Sequence, residues 1–314
     1  MGGIALFGAA GAIGRSIAAA LRAESRPYRV VGRSRPALER EFGADPLAEI
    51  VTWSPDDPES VRAAARGMDT IVHLVGVPYH QFRQHPVVMR QVLDGAVAEG
   101  VARLLLVGTV YPYGRPRTLP VREDHPREPH TFKGRMRKAQ EDLLLEADAA
   151  GRIRGAVLRL PDFYGPGVER SFLDDLFQAA ATGRRAKLIG PIDRPHEFVF
   201  VPDIGPVVTA LAAREEAWGR VWHLAGAGTI TQREAAALAF AAAGRTPRLM
   251  VAGKTMLRLA GLFDPMMREL VEMHYLLTDP VVLDDSALQA LIGPIRKTPY
   301  AEGIRRCVEA AAAA

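Results

Sequence analysis

At 314 residues, with 48% hydrophobic and 24% charged residues, the chain is long enough for one large domain or two small ones and has the composition of an ordinary globule. Its net charge of +4 is small for this length and its cations are interspersed, which argues against a nucleic-acid partner. The single cysteine, Cys307, excludes an intrachain disulfide and a cysteine metal cluster, and no apolar run approaches the roughly 18 residues of a membrane helix. No metal site and no membrane partner are expected. The chain enters an apolar run at once, so no secretory leader is expected, and a reducing cytoplasm is the expected compartment.

Ile4–Phe7 reads as a buried strand, followed by Gly8-Ala9-Ala10-Gly11-Ala12-Ile13-Gly14 and a helical pattern from Ser16. Strand, glycine turn and helix together predict a phosphate cradle: glycine admits a close-lying anion, and the helix start offers unpaired N–H groups. Tyr28–Gly32 is the next strand, and Arg33 follows it where dinucleotide folds place an acidic residue for a ribose 2′-hydroxyl or an arginine for a 2′-phosphate. Arg33 therefore favours NADP over NAD. Glu49–Trp53 is a third strand, Pro58–Gly67 a helix with its stop, and Asp69–Gly76 a fourth strand and turn. A polar and aromatic loop spans Tyr79–His85, a helix Val87–Glu99, and a strand Arg103–Val107, apolar on both faces as a parallel sheet requires. Strand Gly155–Leu160 leads into Pro161-Asp162-Phe163-Tyr164-Gly165-Pro166-Gly167. Thr231-Gln232-Arg233-Glu234 is a capping box opening a helix through Ala243.

The Gly8-x-x-Gly11-x-x-Gly14 spacing, Thr109 four residues before Tyr113-Gly114, and the Arg159 to Gly167 segment resemble the extended branch of the short-chain dehydrogenase/reductase superfamily, the NAD-dependent epimerase/dehydratase family. The resemblance covers nearly the whole chain. It implies an α/β fold, a Rossmann-type doubly wound parallel sheet with a small C-terminal substrate lobe. Residues 1–314 form a single domain, with 1–165 and 195–226 as dinucleotide-binding core and 166–194 and 227–300 as lobe. Implied cofactor contacts are Gly8, Ala10, Gly11, Ala12, Ile13, Gly14, Arg33, Leu74, Val75, Gly76, Pro161 and Phe163. Ser54 stands where the family usually has an aspartate against the adenine amine. A homodimer is usual in the family.

The chemistry departs from the pattern. The family's Tyr-x-x-x-Lys falls on Thr131–Glu141, which holds no tyrosine. Aligning Gly134-Arg135 and Glu141 puts Lys133 at the tyrosine position and Arg137 at the lysine position. Four residues apart, the two cations share a helix face, and the arginine is expected to lower the lysine pKa toward neutral. Lys133 would then move the proton, Arg137 tune it, and Thr109 polarise a substrate oxygen. The alternatives are a surface or phosphate-gripping role for Lys133 and Arg137, or a loop phenol as donor: Tyr111, Tyr113, Tyr79 or Tyr164. The expected function is an NADP-dependent oxidoreductase or epimerase-like enzyme on a small carbonyl or alcohol. The rivals are a cofactor-binding redox sensor without turnover and, third, a nucleotide-sugar epimerase or dehydratase.

Overall fold

A computed structural model of the chain describes residues 2–169, 171–263 and 265–313, without the side chains at 260 and 265–267. In chain order the first half holds β1 (Gly3–Phe7), α1 (Ala12–Ala23), β2 (Tyr28–Gly32), α2 (Arg35–Phe42), β3 (Ala48–Thr52), α3 (Pro58–Ala65), β4 (Met68–His73), α4 (Gln84–Ala98), β5 (Arg103–Thr109), α5 (Phe132–Ala149) and β6 (Arg154–Leu160). Next come β7 (Asp162–Tyr164), α6 (Asp174–Thr182), β8 (Ala186–Ile189), β9 (His196–Phe200), α7 (Val201–Ala212), β10 (Arg220–His223), β11 (Thr229–Ile230) and α8 (Gln232–Ala242). The C-terminal part adds β12 (Leu249–Ala252), α9 (Lys254–Ala260), α10 (Pro265–Met273), α11 (Tyr275–Thr278), α12 (Ser286–Ile292) and α13 (Tyr300–Ala313).

Seven parallel strands form the central sheet in the order β10-β6-β5-β4-β1-β2-β3. Helices lie on both faces, so the fold is the doubly wound Rossmann type. The reason is legible in β5. Leu105 and Val107 enter one apolar core with α1 and α7, while Leu104 and Leu106 enter the other with α3 and α4. A strand buried on both sides must be apolar at every position, because neither face meets water. The chain winds outward from β1 through β2 and β3, then returns to start again at β4. The carboxyl ends of β1 and β4 therefore flank the crevice where open α/β sheets take ligands. Register brings the relevant turns abreast, because Phe7 pairs with Val31 of β2 and with His73 of β4.

The lobe is a third apolar cluster around β11-β9-β7, β12-β8, α6, α8 and α13. Strand β9 pairs here, with β7 and β11, and not in the central sheet. The Thr231–Glu234 capping box forms as the sequence implies, each side chain bonding the other residue's backbone. Glu197 on β9 is 2% exposed and accepts backbone N–H bonds from Leu283 (2.9 Å) and Gly226. Burial outweighs those bonds and pushes its carboxyl up to about 7, against an ordinary 4.5.

Helix α5 is tied to the sheet by one buried ion pair. Thr131 caps the helix, accepting from Gly134 N at 3.0 Å. Glu141, two turns further on, meets Arg159 of β6 with Nη2–Oε2 at 2.5 Å and Nε–Oε1 at 3.0 Å, both side chains essentially without solvent. Burial alone would lower the Arg159 pKa, but the Glu141 carboxylate holds it above its usual value. Removing one partner strands the other charge in the interior, which costs about 3–5 kcal/mol. Glu141→Ala should lose stability of that order in urea unfolding, and a Glu141→Leu/Arg159→Met pair should recover much of it.

Glu197 generates a pH prediction. Between about pH 4.5 and 7 only the folded chain keeps its proton, so stability falls as pH rises through that window. Glu197→Gln should remove this fall: its melting temperature relative to the parent rises as the pH is raised from about 5 to 7. A constant offset across those pH values would show that Glu197 does not titrate there.

Candidate functional site

The glycine turn is shaped for an anion. Gly8 adopts φ +93°, and its N–H donates to Val31 O at 2.9 Å, fastening the turn to β2. A side chain at Gly8 would press on the backbone of Leu74 and Val75 at 3.0 Å. The helix begins at Ala12, inside the motif and earlier than the expected Ser16, with Gly11 as its N-cap and no side-chain cap. Gly14 is thus a helical residue whose Cβ would lie 2.2 Å from Ala9 O; its absence lets α1 sit on the turn. Ala12, Ile13 and Gly14 form the first helical turn, where backbone N–H groups face outward with the positive end of the helix dipole. A dinucleotide's diphosphate fits that cradle. Arg15, one residue past the motif, reaches Ala10 O at 3.1 Å and Gly167 O at 2.9 Å, joining the turn to the Pro161–Gly167 segment. The glycine spacing alone gave no sign of that arginine's role.

Arg33 stands just past β2, exposed, with no carboxylate partner among the described residues; its neighbour Arg35 pairs with Glu39 instead. Leu74, Val75 and Gly76 leave β4 beside Gly8. Pro161 follows Leu160, which pairs with Thr109, so the ends of β5 and β6 adjoin. Phe163 lies on β7 and packs against the α1 side of the core.

Thr109, partly exposed, accepts from Tyr111 N at 3.4 Å. The Tyr111 hydroxyl lies 3.2 Å from that of Tyr79, and Phe82 stacks over the Tyr111 ring. Burial pushes the Tyr79 phenol up to about 12 and that of Tyr111 well above its usual value, so both are neutral acids. The nearby Asp162 carboxylate reinforces this for both phenols, and its own Oδ2 lies 2.7 Å from His196 Nε2. Arg137 donates to Gln140 Oε1 at 2.7 Å and meets His85 Nδ1 at 3.2 Å. Its Nε finds no acceptor, and no carboxylate pairs with it among the described residues. Burial holds its pKa below the usual arginine value. Burial, then the Arg137 charge, push buried His73 down to about 3 and hold His85 well below its usual range. Both imidazoles are neutral, and neither ring nitrogen of His73 has a partner.

Lys133 corrects the expectation drawn from the helix alone. Its side chain has no exposure, and its ammonium does not stand beside Arg137 as a lone like charge. Nζ bonds Glu269 and lies 2.6 Å from Glu272 Oε2, while Lys133 N donates to Glu272 Oε1 at 2.9 Å. The ammonium also sits over the rings of Tyr79 (5.4 Å) and Phe82 (5.8 Å). Two carboxylates from α10, about 130 residues away in sequence, thus replace the expected cation–cation pair. Glu269 and Glu272 are three apart on a helix, which marks a common face but not what it faces.

The phenols separate cleanly. Tyr113 is fully buried and bonds His223 Nε2 at 2.6 Å, with the Arg159 guanidinium on its ring. Tyr164 belongs to the lobe core against Phe200 and Tyr300. Only Tyr111 and Tyr79 join Thr109. Among the described residues no three His, Cys, Asp or Glu side chains converge as metal ligands, and no helix is long and apolar enough to cross a membrane.

Residues 4–230 match the NAD dependent epimerase/dehydratase family. A relative, dTDP-6-deoxy-L-talose 4-dehydrogenase (NAD(P)(+)) of Kitasatospora kifunensis, is 31% identical over 227 residues, covering 68% of this chain and 71% of that one. The fold is similar to dTDP-glucose 4,6-dehydratase of Streptomyces venezuelae, solved with NAD, at a TM-score of 0.82 and 18% identity, over 98% of this chain and 96% of the other. It is also similar to UDP-glucuronic acid 4-epimerase of Bacillus cereus, solved with NAD, at a TM-score of 0.81 and 14% identity, over 98% of each chain. With its glycine cradle, its doubly wound sheet and a hydroxyl cluster at the ends of β4 and β5, the chain belongs to the NAD-dependent epimerase/dehydratase family and is an enzyme of the oxidoreductase/epimerase type.

Proposed function

We propose that the protein is an NADP-preferring oxidoreductase that interconverts a secondary alcohol and a ketone, acting on the sugar of a nucleotide sugar. The observation that carries this reading is the Thr109–Tyr111–Tyr79 hydroxyl group near Arg137, a buried cation with no carboxylate in salt-bridge distance among the described residues. The substrate class rests on the relative that acts on a dTDP-deoxysugar and on the fold's likeness to nucleotide-sugar enzymes.

Bound in the glycine cradle, NADP supplies or accepts the hydride. The protein's part is to orient the substrate and move one proton. Thr109 donates a hydrogen bond to the carbonyl oxygen as negative charge develops there. Tyr111, neutral across the working pH range, gives that oxygen its proton. Tyr79 then returns a proton to Tyr111 through their shared hydrogen bond and is itself reprotonated from solvent, which its partly exposed position admits. Arg137 stabilises the phenolate formed in between, because an unpaired guanidinium in a dry site attracts any new negative charge strongly. Lys133 anchors α10 through Glu269 and Glu272 and backs the Tyr79 ring. Its place over the Tyr79 and Phe82 rings, rather than a free amine, is its contribution.

Tyr111→Phe should lower kcat for ketone reduction about 100- to 10,000-fold with cofactor affinity unchanged. Lys133→Met should instead unseat α10, lowering thermal stability and raising KM for the sugar nucleotide. If Lys133→Met abolishes kcat while Tyr111→Phe is active, the lysine moves the proton and the assignment is reversed. Turnover is assayed as NADPH consumption with keto-sugar nucleotides and simple ketones, and cofactor binding without turnover on any of them defeats the reading.

Arg33→Asp should weaken NADPH binding about tenfold to a hundredfold, the worth of a charged hydrogen bond, with NADH binding unchanged or improved. Calorimetric titration of both cofactors against parent and variant measures this. Equal losses for the two would place Arg33 away from the 2′-phosphate.

A further inference from the structure

Among the described residues, eight large hydrophobic side chains are exposed, and six of them fall between residues 250 and 263: Met250, Val251, Met256, Leu259, Leu262 and Phe263. Phe263 is 91% exposed and Leu262 69%. The other two, Val87 and Leu119, lie far from this stretch in sequence. Soluble surfaces scatter such residues singly, so six within fourteen consecutive residues ask for a partner. Helix α9 shows how it is built. Leu257 is buried, while Met256 and Leu259 lie exposed three residues apart on the helix, and Leu262 and Phe263 follow in the turn after its Gly261 C-cap. Strand β12, just before it, also exposes Met250 and Val251, which as neighbours in a strand point to opposite faces.

The charge around the cluster is net positive: residues 235–264 hold Arg245, Arg248, Lys254 and Arg258 against a single acidic residue, Asp264. All four are exposed, and none has a carboxylate partner within salt-bridge distance among the described residues. An apolar stretch with a net positive border is the complement of an anionic lipid surface: the headgroups meet the cations and the acyl boundary takes the apolar side chains. A second copy of the chain fits poorly. A two-fold contact would set this patch against itself and bring cations opposite cations.

We infer that α9 and the turn after it form a docking surface for an anionic phospholipid bilayer, on which the lobe rests in the plane of the headgroups. The contact is peripheral, consistent with the absence of a membrane-crossing helix among the described residues. It departs from the expectation, drawn from composition, that no membrane is a partner. Chain continuity runs from this ridge into α10, whose Glu269 and Glu272 hold Lys133, so the docked face adjoins the helix that covers the candidate site.

The test is co-sedimentation of the full-length protein with vesicles of phosphatidylcholine alone and of phosphatidylcholine mixed with phosphatidylglycerol, at low and high salt. The parent should pellet with the mixed vesicles, and high salt should release most of it. Leu259→Asp/Leu262→Asp/Phe263→Asp should bind about tenfold more weakly or worse, because three inserted apolar side chains are lost. Lys254→Glu/Arg258→Glu should show a loss of about tenfold or more through the headgroup attraction. Both changes are at exposed positions, and an unchanged melting temperature confirms that the variants are folded. The inference fails if the parent does not pellet with the mixed vesicles, if it pellets equally with neutral ones, or if the triple variant binds as the parent does. It fails also if light scattering without vesicles finds a dimer that the triple variant abolishes, since the ridge is then the seat of a second copy.

Discussion

The pairing of Glu141 with Arg159 is the constraint on which the site's geometry depends. A carboxylate and a guanidinium without solvent have one another as their main compensation, so α5 has essentially one position against β6. The consequences spread from that contact. Arg159 also bonds the Tyr113 hydroxyl at 2.5 Å, Tyr113 bonds His223 of β10, and His223 reaches Asp284 O at 3.1 Å. The turn after β5, the edge strand and the segment beyond α11 are therefore held by one polar chain. Arg159 belongs to the segment that resembles the family's nicotinamide-side motif, yet its side chain works inside the protein. It fixes the helix that presents Lys133 and Arg137.

With α5 placed, the site divides by charge. Toward β4 and β5 lie groups that burial keeps neutral: His73, His85, Tyr79 and Tyr111. Arg137 is the cation among them, with no carboxylate in salt-bridge distance among the described residues, while the Asp162 carboxylate acts on the same phenols. Toward α10 the second cation, Lys133, is matched by Glu269 and Glu272. Two cations one helical turn apart thus have opposite circumstances, one compensated and one not. An uncompensated buried charge raises the energy of the empty site and favours any arrangement that places negative charge nearby. A reaction passing through an alkoxide or phenolate is such an arrangement.

The lobe extends this logic to the surface. Its β9 carries His196 toward Asp162 and Glu197 toward the segment at 283, so the sheet that closes the site is itself made of buried polar contacts. Beyond it, β12 and α9 abandon the mixed polar surface found elsewhere for exposed apolar side chains with cations. The same helical hairpin thus has an inner side that meets Lys133 through α10 and an outer side with no protein partner among the described residues.

Local sequence determined a good deal. Apolar runs of four to seven residues separated by helical patterns specify a parallel sheet buried on both faces, and six of its seven strands, all but β10, follow from them. Gly8 and Gly14 specify a turn with positive φ and a close helix contact, because no side chain fits either place. The Thr231 capping box needs only four consecutive residues, and it formed as written. The partners of single side chains were beyond such reading. Lys133 and Arg137 look alike on the helix, and only packing from over 130 residues away sets two carboxylates against one and none against the other. Which of four phenols joins Thr109 was likewise open, until the ring of Tyr113 was taken by Arg159 and that of Tyr164 by the lobe core. Strand and turn are decided by a residue and its near neighbours, whereas the partner of a charge is decided by what the completed fold carries to within a few ångströms of it.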